Sequence, residues 1–328
     1  MKAIKILTMA AMATAVFASC SNEDGLPQSN YPADNVVRIM TSVDGMNTRA
    51  SYGNSADKLK SFGFCIKNAN SEKYTYDNIK VSQKGYNWIP ATQMLWQNST
   101  TAVDILAYAP YQETTEDATG KVKVFGKTDY AFSVKEDQSN AEDYSSDLIV
   151  FKQTGFTPVS ELNTSKAVEV AFTHLLSQLN LIIELRDQFN TNNNTVTKGF
   201  VTDVKVNGTI ISSKVDFSAS PISVQVDGTQ TAAITPETTG FTPAENATAH
   251  AVFNYSAIVI PQTVAAGNFS ISFKVNNTEY IWTATDAVTF ESGKKHELHL
   301  LAGKDVVQGG AISAKPWGKE TITEKETD

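Results

Sequence analysis

Cys20 is the residue with the clearest predicted chemistry in this sequence. It follows an N-terminus with two lysines, an apolar run from Ile6 to Phe17, and the small residues Ala18 and Ser19. A basic start and a short apolar run are typical of a secretory signal peptide, and the run is too short to span a bilayer as a mature helix. Small residues leading into a cysteine form a lipobox, where the sulfur receives a diacylglycerol. Residues 1–20 are therefore predicted to be a lipoprotein signal peptide, with Cys20 lipidated and anchoring the protein through acyl chains.

The remaining reactive side chains do not form a recognisable catalytic or metal-binding motif. Cys65 lies in a strand-like run, and a single thiol cannot form an internal disulfide, so we expect it to be buried. His296 and His299 are three residues apart, whereas a helical zinc site needs a spacing of four. On a strand they would point to opposite faces, as an exposed alternation. His174 and His250 are isolated in the sequence. We predict no metal, no cofactor and no enzymatic activity.

Charge and composition exclude some classes of partner. The 328 residues include 27 basic and 35 acidic side chains, for a net charge of −8, and no Lys/Arg cluster stands out. Nucleic acid is therefore not an expected partner. No second apolar run approaches the length of a membrane-spanning helix.

Short runs of β-branched and aromatic residues, separated by Gly, Asn, Asp and Pro, predict an all-β protein. The predicted strands are Val36–Val43, Leu59–Ile66, Ala102–Tyr108, Asp147–Phe151, Val168–Phe172, Gln178–Leu185, Phe200–Val206, Ala257–Ile260, Phe269–Val275, Glu279–Thr283 and Lys295–Leu301. Hairpin turns are predicted at Asn207-Gly208, Asp227-Gly228 and Asn276-Asn277. One helical turn is predicted at His174–Gln178.

This pattern and the chain length predict two β-sandwich domains in tandem. Residues 21–35 are polar and read as a tether, residues 36–160 as the N-terminal sandwich, and residues 161–328 as the C-terminal sandwich. The seam is placed in the polar stretch Thr157–Lys166, and Asn190–Asn194 is a competing boundary.

Arg49 lies in a polar, turn-like segment directly after the first predicted strand, between Gly45 and Gly53. An exposed loop of this kind is a natural site for proteolysis, and the bond that would be cut joins Arg49 to Ala50. The alternative is a surface arginine of no consequence.

A lipobox, one strand and then Thr-Arg-Ala together resemble the fimbrillin family, the pilus subunits of Bacteroidales. Glu23 and Asp24 also resemble the export signal of surface-exposed lipoproteins in such bacteria. Further matching segments run in order along the chain: Asp104–Tyr111 after Trp96, Asp147–Val150, Phe172–Leu179, Ile258–Thr263, Phe290–Lys294 and Ile312 to Trp317. The sequence departs from the family at Lys295-His296, where an aromatic residue often follows Gly-Lys. The resemblance implies transthyretin-like sandwiches and an outer-membrane lipoprotein at the cell surface.

The resemblance also implies a mechanism of assembly. An arginine-specific protease would cut after Arg49 and release the first strand, on which Val37, Ile39 and Val43 share one face. The resulting apolar groove would accept a strand from another fimbrillin subunit, and head-to-tail joining would build a filament that supports adhesion. The donor strand would come from Val306–Asp328, with Ile312 and Ile322 as candidate residues.

Two other functions remain open at this stage. The chain could be a non-polymerising surface lipoprotein that binds host glycan or protein, with Trp88, Trp96, Tyr108 and loop tyrosines as the sugar platform. It could also be a tip or anchor subunit of a pilus. A retained lipid and a carbohydrate affinity would favour the first, and an uncut lipidated chain would indicate an anchor.

Overall fold

A computed structural model describes residues 30–43, 58–113, 124–190 and 196–317. Cys20, Arg49, Ala50 and Ile322 lie outside these residues, so the predictions about them stay predictions. Within the described ranges strands make up nearly all of the regular secondary structure, which confirms the all-β fold class. Helix in these ranges is limited to α1 (Pro158–Glu161) and two single 3₁₀ turns. No helix in this part of the chain has the length and apolarity to cross a bilayer.

The described residues up to His174 form eight strands. In chain order they are β1 (Ile39–Val43), β2 (Ser61–Lys67), β3 (Tyr76–Lys84), β4 (Asn87–Pro90), β5 (Val103–Ala109), β6 (Tyr130–Ser133), β7 (Ile149–Phe156) and β8 (Val168–His174).

The described residues from Ser177 onward form the rest. They are β9 (Ser177–Leu185), β10 (Val201–Ile210), β11 (Ser212–Asp216), β12 (Ser223–Val226), β13 (Thr231–Ile234), β14 (Glu237–Thr242), β15 (Ala251–Val259), β16 (Gln262–Val264), β17 (Ser270–Val275), β18 (Thr278–Thr283), β19 (Val288–Phe290), β20 (Lys294–Ala302), β21 (Val307–Gly309) and β22 (Ser313–Pro316).

Two large sheets organise the molecule. The seven-stranded sheet has the order β1-β8-β7-β5-β2-β3-β4, and the six-stranded sheet contains β14-β15-β9-β20-β21, with β22 also paired to β20. Smaller sheets are formed by β13-β10-β17-β18, by β12-β11-β6 and by β16-β19. β8 and β9 are consecutive, so the chain passes from one large sheet to the other at His174–Ser177.

The two hydrophobic cores lie on opposite faces of the same strands. On β5, Ile105 and Ala107 belong to the smaller core, whereas Leu106 and Tyr108 belong to the larger one. Alternate residues of a strand point to opposite faces, so every residue of β5 except the half-buried Asp104 is buried, because both faces are covered. Cores on both faces explain why the strand is continuously apolar from Ile105 to Ala109.

The predicted domain boundary at residue 160 does not coincide with the way the strands are divided among the sheets. β8 follows that boundary in the sequence, yet it belongs to the seven-stranded sheet, and its Val170 and Phe172 lie in the smaller core. Conversely, β6 precedes the boundary but pairs with β11. The count of two domains stays a prediction.

The local turn predictions have mixed outcomes. Asn276 and Asn277 join β17 to β18 with φ of 48° and 69°, which confirms a hairpin of the type that favours asparagine. The hairpin at Asn207-Gly208 is wrong, because both residues lie inside β10 beside a register shift.

Asp227-Gly228 was also predicted as a hairpin turn, but it joins β12 and β13, which belong to different sheets. The predicted helical turn at His174–Gln178 is wrong as well. Its first residue ends β8, and β9 begins at Ser177.

Candidate functional site

β1 forms one edge of the seven-stranded sheet and runs parallel to β8. Its register pairs Ile39 with Val168 and continues to Val43 opposite Phe172. The Val168 N–H also donates to the Arg38 carbonyl at 2.8 Å. The strand is shorter than the predicted Val36–Val43, because the residues before Ile39 turn to a different partner.

Those preceding residues pair with the segment between β4 and β5. The Val37 N–H donates to the Met94 carbonyl at 3.0 Å, and the Trp96 N–H donates to the Asn35 carbonyl at 2.8 Å. Val36 forms an antiparallel bridge with Leu95. The N-terminal segment therefore joins two parts of the fold that do not otherwise pair here, and the sequence alone did not reveal this second contact.

Side chains on this segment alternate between core and solvent, as predicted. Val37 and Ile39 are 2% and 6% exposed and lie in the smaller core, whereas the intervening Arg38 faces solvent and Met40 is 47% exposed. The inward placement of Val37 and Ile39 is thus confirmed. The side chain of Val43 lies outside the described part of the structure.

β8 depends on β1 for most of its backbone pairing. β7 pairs with β8 only at Ile149–His174 and Val150–Thr173. The five residues Val168–Phe172 pair with β1 instead. Removal of β1 would leave these residues without a strand on either side and would uncover Val168, Val170 and Phe172, which are buried. Unpaired strand edges of this kind favour the addition of another strand.

A cleft of about 600 Å³ lies between β1 and β4, the two edges of the seven-stranded sheet. Met40, Tyr86 and Ile89 at this cleft are among the most exposed large apolar side chains of the described residues. Trp88 is half-buried and packs edge-on against Phe62 at a centroid distance of 5.1 Å. The cleft beside β1 therefore has several exposed apolar side chains on its walls.

Exposed polar contacts fix the start of the N-terminal segment. The Arg38 guanidinium donates to Asp34 Oδ2 at 2.6 Å, and the Val36 N–H donates to Asp34 Oδ1 at 3.1 Å. These hydrogen bonds, with the Arg38 one dominant, lower the pKa of the Asp34 carboxyl to about 2. The Asn30 amide also donates to the Leu162 carbonyl at 3.0 Å.

The described part of the C-terminal tail is an edge of its own sheet. β21 and β22 pair with opposite ends of β20, and the half-buried Ile312 lies in the connection between them. After β22, the buried Trp317 ring stacks on His174 at 3.9 Å with an interplanar angle of 3°. His174 Nδ1 in turn lies 2.9 Å from Asp147 Oδ1, and both of these side chains are fully buried.

His174 was described as isolated from its position in the sequence, and this was wrong. Its partners Asp147 and Trp317 come from distant parts of the chain, so no local spacing could have indicated the contact. Trp317, the last described residue of the tail, therefore packs at the end of β8, where the chain passes from one large sheet to the other.

The two histidines of the His296–His299 motif do point to opposite faces. The predicted exposure is wrong for His296, which is 1% exposed and whose Nε2 accepts the Glu291 N–H at 3.2 Å. Desolvation lowers the pKa of His296. His299 instead reaches outward, with its Nε2 2.6 Å from Glu184 Oε2, and the supposedly isolated His250 contacts the other oxygen of the same carboxylate.

The residues considered for enzymatic or sugar-binding chemistry are mostly core residues. Trp96 is 2% exposed and stacks on Phe156, and Tyr108 is fully buried. The proposed platform of Trp88, Trp96 and Tyr108 is therefore not present. Cys65 is buried as expected, and burial raises the pKa of its thiol. Within the described ranges, no three potential ligands converge on a metal-binding position.

The fold is that of a β-sandwich protein in which β1 forms an edge strand. Comparison with known proteins identifies the family to which it belongs. The fimbrillin-like family model matches residues 48–317, and the chain belongs to this family. No curated protein sequence matches the chain.

Solved structures with the same fold include three Bacteroides proteins of low sequence identity. A fimbrial protein from Bacteroides vulgatus is 18% identical, with a TM-score of 0.53 over 85% of this chain and 99% of its own. Proteins described as candidate cell adhesion proteins come from Bacteroides uniformis and Bacteroides ovatus. The first has 18% identity and a TM-score of 0.56 over 87% of this chain and 99% of its own. The second has 14% identity and a TM-score of 0.59 over 88% and 100%.

Proposed function

We propose that this protein is a fimbrial subunit that reaches the cell surface as an outer-membrane lipoprotein and supports adhesion as part of a pilus. In this proposal Cys20 carries the lipid, an arginine-specific protease cuts between Arg49 and Ala50, and a neighbouring subunit fills the place of β1. The observation that carries the proposal is the pairing of β8, whose residues Val168–Phe172 have β1 as their strand partner.

Family membership supports the role as a subunit. The matched region begins at residue 48 and ends at residue 317. β1 lies before the matched residues, and Arg49 is the second of them. One of the structures with the same fold is described as a fimbrial protein.

The energetics favour exchange over simple loss of the strand. Burial of an aliphatic side chain contributes roughly 1.5–3 kcal/mol, so Val37 and Ile39 together contribute roughly 3–6 kcal/mol to holding the segment. An incoming strand with similar side chains recovers this energy and the backbone hydrogen bonds of β8. Before the cut, the resident strand is covalently tethered and has the higher effective concentration.

The position of the cut is tested on fimbriae sheared from cells that express the protein. N-terminal sequencing should give Ala50 as the first residue of the chain in this fraction. Arg49→Ala should reach the surface but be absent from sheared fimbriae, whereas Arg38→Ala, which removes another arginine of the same segment, should be cut normally. Equal incorporation of Arg49→Ala into fimbriae would overturn the proposed processing.

Lipidation is tested separately by labelling cells with a fatty-acid analogue. The wild-type precursor should be labelled and Cys20→Ala should not, because the thiol is the acceptor. Cys65→Ala is the matched control and should be labelled like the wild type. Equal labelling of Cys20→Ala and the wild type would remove the lipoprotein step.

A further inference from the structure

We propose that the strand which fills the groove of this protein comes from a different subunit and not from residues 306–328 of a second copy of this chain. This inference rests on the proposed function, since it concerns the groove that removal of β1 would open. The partner it names is an extended segment with aliphatic β-branched residues at positions i and i+2 and a threonine-like residue at i+4.

The requirement comes from the side chains that the groove now holds. Val37 and Ile39 are buried in the core, and Thr41 follows them on the same face with its hydroxyl oxygen buried. Arg38 and Met40 lie on the opposite face and are exposed. A replacement strand therefore needs uncharged β-branched residues at these three inward positions, and its outward residues can be polar.

The tail beyond Trp317 does not meet this requirement in either register. It reads Lys319-Glu320-Thr321-Ile322-Thr323-Glu324-Lys325. With Ile322 facing inward, Glu320 and Glu324 also face inward, because alternate residues share a face. The other register buries only Thr321 and Thr323 between two lysines. Placing carboxylates or ammonium groups in an apolar groove without partners is strongly unfavourable.

The described part of the tail is no better as a donor. From Gly309 to Pro316 its only large apolar residue is Ile312, and the earlier Val306 and Val307 are adjacent and cannot share a face of a strand. Pro316 has no N–H to donate to a new ladder. This segment already pairs with β20, and its withdrawal would also take Trp317 off His174.

A copy of this chain is thus built to accept a strand and poorly built to donate one to another copy. In a filament joined head to tail, it would be followed by a subunit of another kind. Whether a strand can fill the groove therefore depends on its inward side chains, and peptides with different side chains at these positions test this directly.

The experiment uses the full chain cut at Arg49 and four labelled peptides, and measures their exchange for the resident N-terminal fragment. The first peptide is residues 34–43, and the second is the native tail, residues 318–328. The third carries Glu320→Val and Glu324→Thr, which reproduces the inward order valine, isoleucine, threonine. The fourth carries Glu320→Gln and Glu324→Gln, which removes the same charges but keeps polar side chains.

The 34–43 peptide and the Val/Thr tail should bind, and the native and Gln tails should bind at least about tenfold more weakly, a difference of about 1.4 kcal/mol. Binding of the native tail equal to that of the 34–43 peptide would overturn this inference and leave the proposed function intact. Failure of the Val/Thr tail alongside a binding 34–43 peptide would also overturn it. Failure of the 34–43 peptide itself would reject the proposed function, and the inference with it.

Discussion

Glu184 shows at the level of single residues how the fold creates contacts between distant charged groups. His250, which directly precedes β15, and His299 on β20 each contact one oxygen of its carboxylate from either side of β9. Partial burial acts to raise the pKa of Glu184, but the hydrogen bonds from the two histidines outweigh it and leave the pKa below the ordinary value of 4.5. The ionised carboxylate is therefore the form that the folded state prefers.

Replacement of Glu184 by glutamine should destabilise the protein slightly at neutral pH. Because the pKa is lowered by folding, the carboxylate contributes stability above the unfolded-state pKa and loses it as the pH falls through the lowered value. The side chain is partly exposed to solvent, so we expect less than about 1 kcal/mol at pH 7. Urea unfolding at several pH values should show the difference between Glu184→Gln and wild type vanishing in acid. A difference that grows toward low pH would contradict the expectation.

Gly208 is a second residue whose identity the structure explains. Its φ is +92°, and a Cβ at this position would lie 1.9 Å from the Asn268 carbonyl oxygen. Gly228 has a similar φ of +84° but no atom within 4 Å of the same position. Comparing alanine substitutions at Gly208 and Gly228 therefore separates the cost of backbone strain from the cost of a steric clash.

Gly228→Ala should cost about 1 kcal/mol of unfolding free energy, because it carries only the penalty of a left-handed conformation. Gly208→Ala carries that penalty and also forces β10 away from Asn268, two residues before β17, so its loss of unfolding free energy should be clearly larger. Thermal and urea unfolding of the two variants measure the difference. Equal losses would show that the backbone at Gly208 moves freely.

At the level of elements, β1 offers a matched pair of neighbouring side chains. Ile39 is 6% exposed and Met40 is 47% exposed. Ile39→Ala should lower the unfolding free energy by about 2–5 kcal/mol, since it leaves a cavity in the core. Met40→Ala should change it by no more than about 0.5 kcal/mol. Similar losses for both variants would show that β1 does not contribute its inner face to the folded precursor.

The same strand shows what the sequence could and could not predict. Alternation of apolar and polar residues identified the inward face of Val37 and Ile39, because that pattern depends only on the local backbone. It could not identify the partner strand, since alternation specifies a face and not a neighbour. β1 pairs in parallel with β8, beginning with Ile39 opposite Val168, and these two strands lie far apart in the chain.

The candidate chemistry was predicted unevenly for the same reason. The opposite faces of His296 and His299 follow from strand geometry and were confirmed, whereas the contacts of His174 with Asp147 and Trp317 depend on tertiary packing. The boundary at residue 160 was drawn from a polar stretch in the sequence. Backbone hydrogen bonds, which the sequence does not show, decide which sheet a strand joins. They place β8 in the seven-stranded sheet with strands that precede the boundary.

On the scale of the whole molecule, cutting and strand removal should be separate events. After a cut at Arg49, the segment from Asn30 to Val43 would keep its ladder with β8, its hydrogen bonds to Met94 and Trp96, and the burial of Ile39. None of these contacts involves the cut bond. The cut protein is therefore expected to remain folded and monomeric, with its N-terminal fragment bound, until a donor strand displaces it.

The prediction is tested by digesting purified precursor with an arginine-specific protease and following the fragment by gel filtration and mass spectrometry. The wild-type fragment should co-elute with the main chain. In Ile39→Ala the loss of about 2–5 kcal/mol of burial, at 1.4 kcal/mol per factor of ten, should weaken retention by roughly thirtyfold or more. Met40→Ala should retain its fragment like the wild type. Immediate release from the wild type would mean that the cut alone opens the groove, and that the incoming strand fills an empty site instead of displacing a resident one.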